Sequence, residues 1–398
     1  MVPDPFAPAR LGPVTLRNRV IKAATFEGMT PRNLPTPALV DYHRAVAAGG
    51  VGMTTLGFCA VSRDGRGARG ELVVSEEAIP GLRALADAVH AEGAKVSAQL
   101  GHAGPVAAAS GIRGLAPTRG LRPLATAWAR AADDADLARV TRDFAAAARR
   151  VAEAGFDAIE LHLGHHYLLS AFLSPRLNRR DDAWGGDVQR RARFPRQVVA
   201  AVRDAVGHRV AVTAKLQMTD GVRGGLELDD AIATALLLEA DGHLDALELT
   251  GGGSLLNPMY LFRGDVPRWA MAASLPQWWL RLGFAAISPW LMRRYPFEEA
   301  YFLPFAMQFR AALTMPLILL GGINRRDTID RAMAEGFAFV AMGRALLREP
   351  DLVRRLAAEE VGEGRCTHCN ACMATIYGGT HCVLVAPGDR PGFRVTTG

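Results

Sequence analysis

Short apolar, β-rich runs recur along the whole chain, and most are separated by stretches whose apolar residues repeat with helical spacing. Eight runs stand out: Val20–Phe26, Val51–Val61, Lys95–Gly101, Ala158–Leu163, Val210–Leu216, Ala246–Thr250, Pro316–Leu320 and Phe337–Met342. Before the third, Leu82, Leu85 and Val89 share one helical face; before the fourth, Val140, Phe144, Ala147 and Val151 share another. Helix ends carry AAGG, AEGA, EAGF and AEGF, where glycine supplies the left-handed residue that turns the chain into the next strand. This alternation predicts an α/β fold, and eight strands with helical crossovers favour a closed (β/α)8 TIM barrel over an open sheet. Ahead of the first run, VPDPFAPARLGPVTLRNR has proline and glycine turns that predict a β-hairpin capping the barrel's bottom.

One interval breaks the rhythm. The sixth and seventh runs lie about 65 residues apart, far beyond an ordinary crossover, which predicts an insertion over 251–310. Trp269, Trp278, Trp279 and Trp290 fall there, with Phe284, Tyr295, Phe297 and Tyr301. Such a cluster suits a lid over the barrel mouth or an interface in a homo-oligomer, with plain packing next. Membrane contact is the least favoured use, because Arg281, Pro289, Arg293 and Arg294 cut the apolar stretch and no run of 18 apolar residues exists.

Composition narrows the class. The 398 residues are 49% hydrophobic and 22% charged, which excludes disordered and fibrous chains and suits one large barrel domain over 1–398. The net charge of +6 comes almost wholly from arginine, since Lys22, Lys95 and Lys215 are the only lysines, and no basic run of the kind that coats a phosphate backbone is present. Nucleic acid is therefore not an expected partner. No basic region followed by an apolar run marks the N-terminus for secretion. Four of the five cysteines sit together at Cys366, Cys369, Cys372 and Cys382, in a C-terminal segment over 361–398 that does not read as a disulfide framework, so a reducing cytoplasm is expected.

In barrels of this type chemistry sits at the C-terminal ends of the strands. The fourth run ends in ELHLGHHYLL, where His162, His165 and Tyr167 can reach one pocket. Two imidazoles polarise an oxygen and a phenol delivers a proton, although the same pair of histidines suits a metal or plain packing. The seventh and eighth runs end in LLGGIN and VAMGRALL, where Gly321, Gly322, Gly343 and Arg344 suit a phosphate. Gln99 and Lys215 complete the ring around the mouth, and a cation in that position calls for an anion, such as a bound cofactor. The spacing CTHCNAC, nine residues, Cys382 has the compactness of a thiolate site for a [4Fe-4S] cluster or zinc, or else is an unmetallated remnant.

Taken together, LGPVTLRNRV, QLGHAG, AGFDAIELHLGHHYLLSAFLSPRLNRRDDAWGG, LLGGIN and FVAMGRALLREPDL resemble the old yellow enzyme family of NADH:flavin oxidoreductases over nearly the whole length. The resemblance implies FMN held around Ala23, Ala24 and Thr25, by Gln99 and Lys215, and at its phosphate by Gly321, Gly322, Gly343 and Arg344. It implies NAD(P)H as reductant, His162 and His165 as the grip on a small substrate's activating oxygen, and Tyr167 as proton donor in reduction of an activated C=C bond. Four positions depart from the family pattern: Phe26 in place of a Thr or Cys, Gly101 where some relatives carry Trp, Pro105 where Arg is common, and His166 in place of Gly. The cysteines resemble the cluster region of the dienoyl-CoA reductase and trimethylamine dehydrogenase branch, with the second and third separated by two residues instead of three. Alternatives are an FMN-dependent dehydrogenase or demethylase that passes electrons through an iron–sulfur cluster, and a flavin-free barrel lyase or isomerase.

Overall fold

The alternation of runs and helices closes on itself. In a computed structural model that describes residues 2–107, 114–122, 127–275 and 277–392, parallel strands at Val20–Lys22, Met53–Ala60, Lys95–Gly101, Ala158–Leu163, Ala211–Gln217, Ala246–Thr250, Leu317–Leu320 and Phe339–Met342 each pair with the next. The eighth returns to the first through Val340↔Val20 and Met342↔Lys22, which completes the expected barrel. The first strand is shorter than its apolar run. Beyond Lys22 the eighth strand has ended, and the chain meets the second strand again only at a bridge between Phe26 and Gly57.

Helices expected from periodicity form where their apolar faces can be buried. Leu82, Leu85 and Val89 are buried from helix Ile79–Ala91, and Val140, Phe144, Ala147 and Val151 from helix Asp134–Glu153, which starts at a capping box between Asp133 and Asp136. The glycines expected at helix ends, Gly50, Gly93, Gly155 and Gly336, all have positive φ. Between the sixth and seventh strands lie helices Pro258–Leu261, Arg268–Ser274 and Trp278–Leu291. The following helix, Leu303–Ala312, buries Leu303, Ala306 and Phe309 and is the ordinary crossover, so the extra material ends near 302 and not at 310.

Strand side chains alternate, so each strand sends every second residue into the barrel. At the bottom these are Ile21, Ala158, Ala211, Ala246 and Phe339, packed in one cluster with Leu11 and Leu16 of the N-terminal hairpin. That hairpin, Ala9–Leu11 paired with Val14–Leu16, turns at Gly12 with φ 55°, where a Cβ would lie 2.5 Å from the Asp245 carboxyl carbon. Continuing up the same inward positions, the register brings Glu160 beside Thr213, then His162 beside Lys215 and Lys215 beside Glu248. The interior therefore grades from apolar at the hairpin to polar at the mouth.

A buried charge pair holds the outside of the barrel. Lys22, fully buried, donates to Glu27 Oε1 at 2.7 Å and to the Thr55 carbonyl at 3.1 Å. Glu27 also accepts the Gly57 N–H at 3.3 Å, and His43 of helix Pro37–Ala48 sits 3.5 Å away while its Nδ1 contacts Thr54 Oγ1 at 2.8 Å. Burial works against the Glu27 carboxylate, yet Lys22 and His43 hold its pKa below the ordinary value. Replacing Lys22 with Met leaves that carboxylate without its cation, which costs about 3–5 kcal/mol when one partner of a buried pair is removed. Urea unfolding of Lys22→Met is expected to show a loss in that range at an unchanged m-value.

Candidate active site

His162 ends the inward row of the fourth strand, and the chain then leaves the barrel through two consecutive left-handed residues, His165 with φ 60° and His166 with φ 65°. This backbone is sparsely populated for residues with a Cβ and concentrates at functional sites. It folds the segment back so that the His162 ring lies 5.0 Å from that of His165 and 4.6 Å from that of Tyr167. His165 is anchored by Nε2 to Thr250 Oγ1 at 2.9 Å and by its backbone N–H to the Gln217 side chain. His162 Nδ1 is buried with no hydrogen-bond partner, a group left for a ligand. Burial, with His165 and Lys215 nearby, pushes His162 well below the usual imidazole range; burial and Lys215 bring His165 down to about 3. Both rings are thus neutral at physiological pH, each with one donor and one acceptor.

One side chain that the sequence analysis did not single out shapes this pocket. The Phe58 ring lies 4.9 Å from that of Tyr167 and 6.0 Å from that of His162. It fills the space over Gly101, where a Cβ would come within 2.2 Å of Phe58 Cε2, so Gly101 is the residue that lets Phe58 in. His166 is fitted the same way. A Cβ on Gly253 would lie 2.3 Å from its ring, and its Nε2 lies 3.1 Å from Asp220, which also accepts from Ser174 at 2.6 Å. His166 is therefore a buried wedge and not a group facing the pocket. The available signals were Gly101 and His166, two of the four departures from the family pattern: the first admits Phe58 and the second is accommodated at Gly253.

Lys215 differs from its expected setting in where its counter-charge comes from. Its Nζ lies 3.0 Å from Glu160 and 2.9 Å from Glu248, all three buried inside the barrel, and Gln99 donates to Glu160 at 2.6 Å. The protein itself supplies the anions that the sequence reading assigned to a cofactor. Burial opposes the Lys215 cation, but the two glutamates hold its pKa above the ordinary lysine value. Burial, with Glu160 adjacent, pushes Glu248 up to about 8, so at neutral pH Glu248 keeps its proton. Both glutamates sit at inward positions of apolar runs, two before His162 and two before Thr250, which is the signal that marks them.

The remaining predicted residues gather at one rim. Ala23 donates its N–H to the Met342 carbonyl at 2.9 Å; Ala24 and Gln99 pack on Gly57; and Thr25 faces Gly343, where it would be the nearest neighbour of a Cβ at 3.8 Å. Gly321 and Gly322 have φ of 111° and 76°, with Phe302 and Tyr301 filling the space a Cβ would need. A rim of glycine backbone with open space at Gly343, above an amide and a lysine, is a donor set that fits FMN. Arg344 stands apart from the group. Its guanidinium donates to the Arg263 carbonyl at 3.0 Å and to Asn370, tying the insertion to the cysteine segment.

Cys366, Cys369, Cys372 and Cys382 line one small pocket with Arg344 and Arg348. Burial raises Cys366 and carries Cys372 up to about 11, so these thiols are protonated at neutral pH. Among the described residues no group of three or more His, Cys, Asp or Glu side chains is arranged to hold a metal ion. The thiols suit an iron–sulfur cluster or zinc in kind, but they do not converge as ligands.

Over 384 residues the chain is 57% identical to 4,4'-dithiodibutanoate disulfide reductase of Rhodococcus erythropolis, covering 96% of this chain and 95% of that protein. It is 32% identical to a metal reductase of Desulforamulus reducens over 94% of this chain but 52% of that protein, so it spans about half the length of that relative. Among solved structures, 2-naphthoyl-CoA reductase in complex with 2-naphthoyl-CoA superposes with a TM-score of 0.80 at 24% identity, over 96% of this chain and 57% of that one. Morphinone reductase superposes with a TM-score of 0.69 at 23% identity, over 93% and 97%. Both share the fold. A profile of the NADH:flavin oxidoreductase / NADH oxidase family matches residues 4–247, and with it the near full-length likeness to the Rhodococcus protein establishes that the chain belongs to this family.

Proposed function

We propose that this protein reduces a small organic disulfide with electrons from NAD(P)H passed through FMN. The likeness to the Rhodococcus disulfide reductase, 57% identical across almost the whole of both chains, carries this reading. The reaction balances as one disulfide, one NAD(P)H and one proton giving two thiols and NAD(P)+. FMN, when bound, accepts the reducing equivalents from NAD(P)H and hands them to the substrate. The chain does the rest. Ala23, Ala24, Thr25, Gln99 and the glycines at 321, 322 and 343 hold FMN, and Lys215 supports negative charge beside it. His162 and His165, both neutral, offer N–H donors to an electron-rich substrate atom without adding a charge of their own. Phe58 and Tyr167 form the apolar wall that excludes water.

A second reading, reduction of an activated C=C bond, is favoured by Tyr167, whose ring stands 4.6 Å from that of His162. There the histidines polarise the activating oxygen and Tyr167 delivers a proton to carbon. The two readings demand different things of the phenol. A thiolate leaves readily near neutral pH because its conjugate acid has a pKa of about 8.5, whereas a carbon centre must be protonated.

Tyr167→Phe is therefore expected to leave disulfide turnover nearly unchanged and to lower enone turnover about a hundredfold. Steady-state assays of both substrates on the same preparation decide it. No disulfide turnover by wild type, with enone turnover that collapses in Tyr167→Phe, would overturn the first reading in favour of the second.

The pKa pattern sets the pH profile. Since His165 loses its proton near 3 and His162 well below its usual value, neither should titrate across the neutral range, and flavin reduction by NAD(P)H should be flat from weakly acidic to neutral pH. As pH rises through about 8, Glu248 ionises beside Lys215 and the cation's support is diluted, so the rate should fall on the alkaline side. Stopped-flow reduction rates against pH test this, with Glu248→Gln expected to remove the alkaline fall.

A further inference from the structure

The insertion leaves the sixth strand at the mouth of the barrel, where Gly253 bridges to His165. Its longest helix, Trp278–Leu291, is oriented the wrong way round for a helix on a water-facing surface. At 100° per residue, Trp278, Trp279, Leu282, Ala286, Ile287 and Trp290 occupy one half of the circumference. That half is the exposed one: the four bulkiest of its side chains after Trp290, which is 77% exposed, are all more than half exposed as well. The opposite half holds Ser288, which is buried, with Leu280, Phe284 and Leu291 half-buried against the protein. Trp269 of the preceding helix adds a side chain that is 83% exposed. The four tryptophans therefore do not pack into the core.

Charge says what this face fits. From residue 266 to 297 the chain has Arg268, Arg281, Arg293 and Arg294 and no Asp or Glu. Arg281 and Arg293 are exposed, and Arg281 donates to the Leu275 carbonyl at 2.8 Å and not to a carboxylate. Arg294 lies 3.2 Å from Asp265, just outside the stretch. A two-fold contact between copies would set helix Trp278–Leu291 against itself, and that helix has Arg281 and no acid of its own to meet it, the nearest acids being Asp265, Glu298 and Glu299 outside the stretch. Tryptophan on an apolar face with exposed arginines nearby, Arg281 on the helix's other side and Arg293 just past its end, is instead the composition of a helix lying in a membrane interface, with rings at headgroup depth and guanidinium groups within reach of lipid phosphates. No helix among the described residues is long and apolar enough to cross a membrane, so the contact is peripheral.

We infer that the solvent face of helix Trp278–Leu291, with Trp269, docks the protein onto an anionic lipid bilayer. The arginines that rule out a membrane span are the groups that select the lipid.

The test is flotation of the purified, FMN-loaded full chain with vesicles of phosphatidylcholine alone and of phosphatidylcholine mixed with phosphatidylglycerol. The chain should float with the anionic vesicles and not with the neutral ones, its tryptophan emission should shift to shorter wavelength, and binding should weaken as salt is raised. Reversing Arg281 and Arg293 to Glu should weaken partitioning about tenfold or more. Trp278→Ser/Trp279→Ser/Trp290→Ser should abolish it while the flavin absorbance stays unchanged, which shows that the barrel is intact. The inference is overturned if wild type fails to float with anionic vesicles at low salt, or if the triple variant floats equally well. It is also overturned if light scattering finds a dimer that the triple variant splits while vesicles bind neither protein.

Discussion

A closed eight-stranded barrel leaves every second strand residue nowhere to go but inward, and in this chain the inward row that reaches the mouth contains a lysine. Burying that cation is costly unless charge of opposite sign is buried with it. Glu160 and Glu248 meet Lys215 from the strands on either side, at 3.0 and 2.9 Å, because the register sets His162 and Glu248 directly beside it. Much of the site follows from this arrangement. Glu160 orients Gln99, burial with Lys215 nearby keeps both histidines neutral, and the hairpin's apolar plug closes the other end of the barrel.

The parts of the fold that depend on a single period were legible in the sequence. Strand runs, helix faces and helix-ending glycines rest on spacing alone, and their errors are local: a first strand cut short where its neighbour ends, and an insertion whose tail is an ordinary crossover helix. The cluster of His162, His165 and Tyr167 was legible for a related reason, since all three lie within six residues at one strand end. What was not legible depended on residues far apart in the chain. Glu160 and Glu248 gain meaning only once the register sets them beside Lys215, and Phe58 only once Gly101 is seen to vacate its place.

Arg344 shows how a motif can be present and its side chain committed elsewhere. Gly343 keeps the open backbone that suits a phosphate, but the guanidinium beside it bonds to Arg263 and Asn370. Asn370 in turn donates to the carbonyl of Asp265 at 2.9 Å, and His368 stacks on Phe297 with ring centroids 3.4 Å apart. These contacts join the end of the eighth strand, the insertion and the cysteine segment into one layer.

That layer explains how the insertion can afford its inverted helix. A helix whose apolar half faces water gains nothing from burying it, so its position must be held by the contacts on its other side and at its ends. Ser288 and the half-buried Leu280, Phe284 and Leu291 supply part of this, and Arg268 supplies more by donating to the Met292 carbonyl at 3.1 Å. The Arg344 and Asn370 bonds to residues 262–265 then fix the segment that leads into both insertion helices. The apolar face is thus displayed by structure anchored elsewhere, and it stays available for a surface outside the chain.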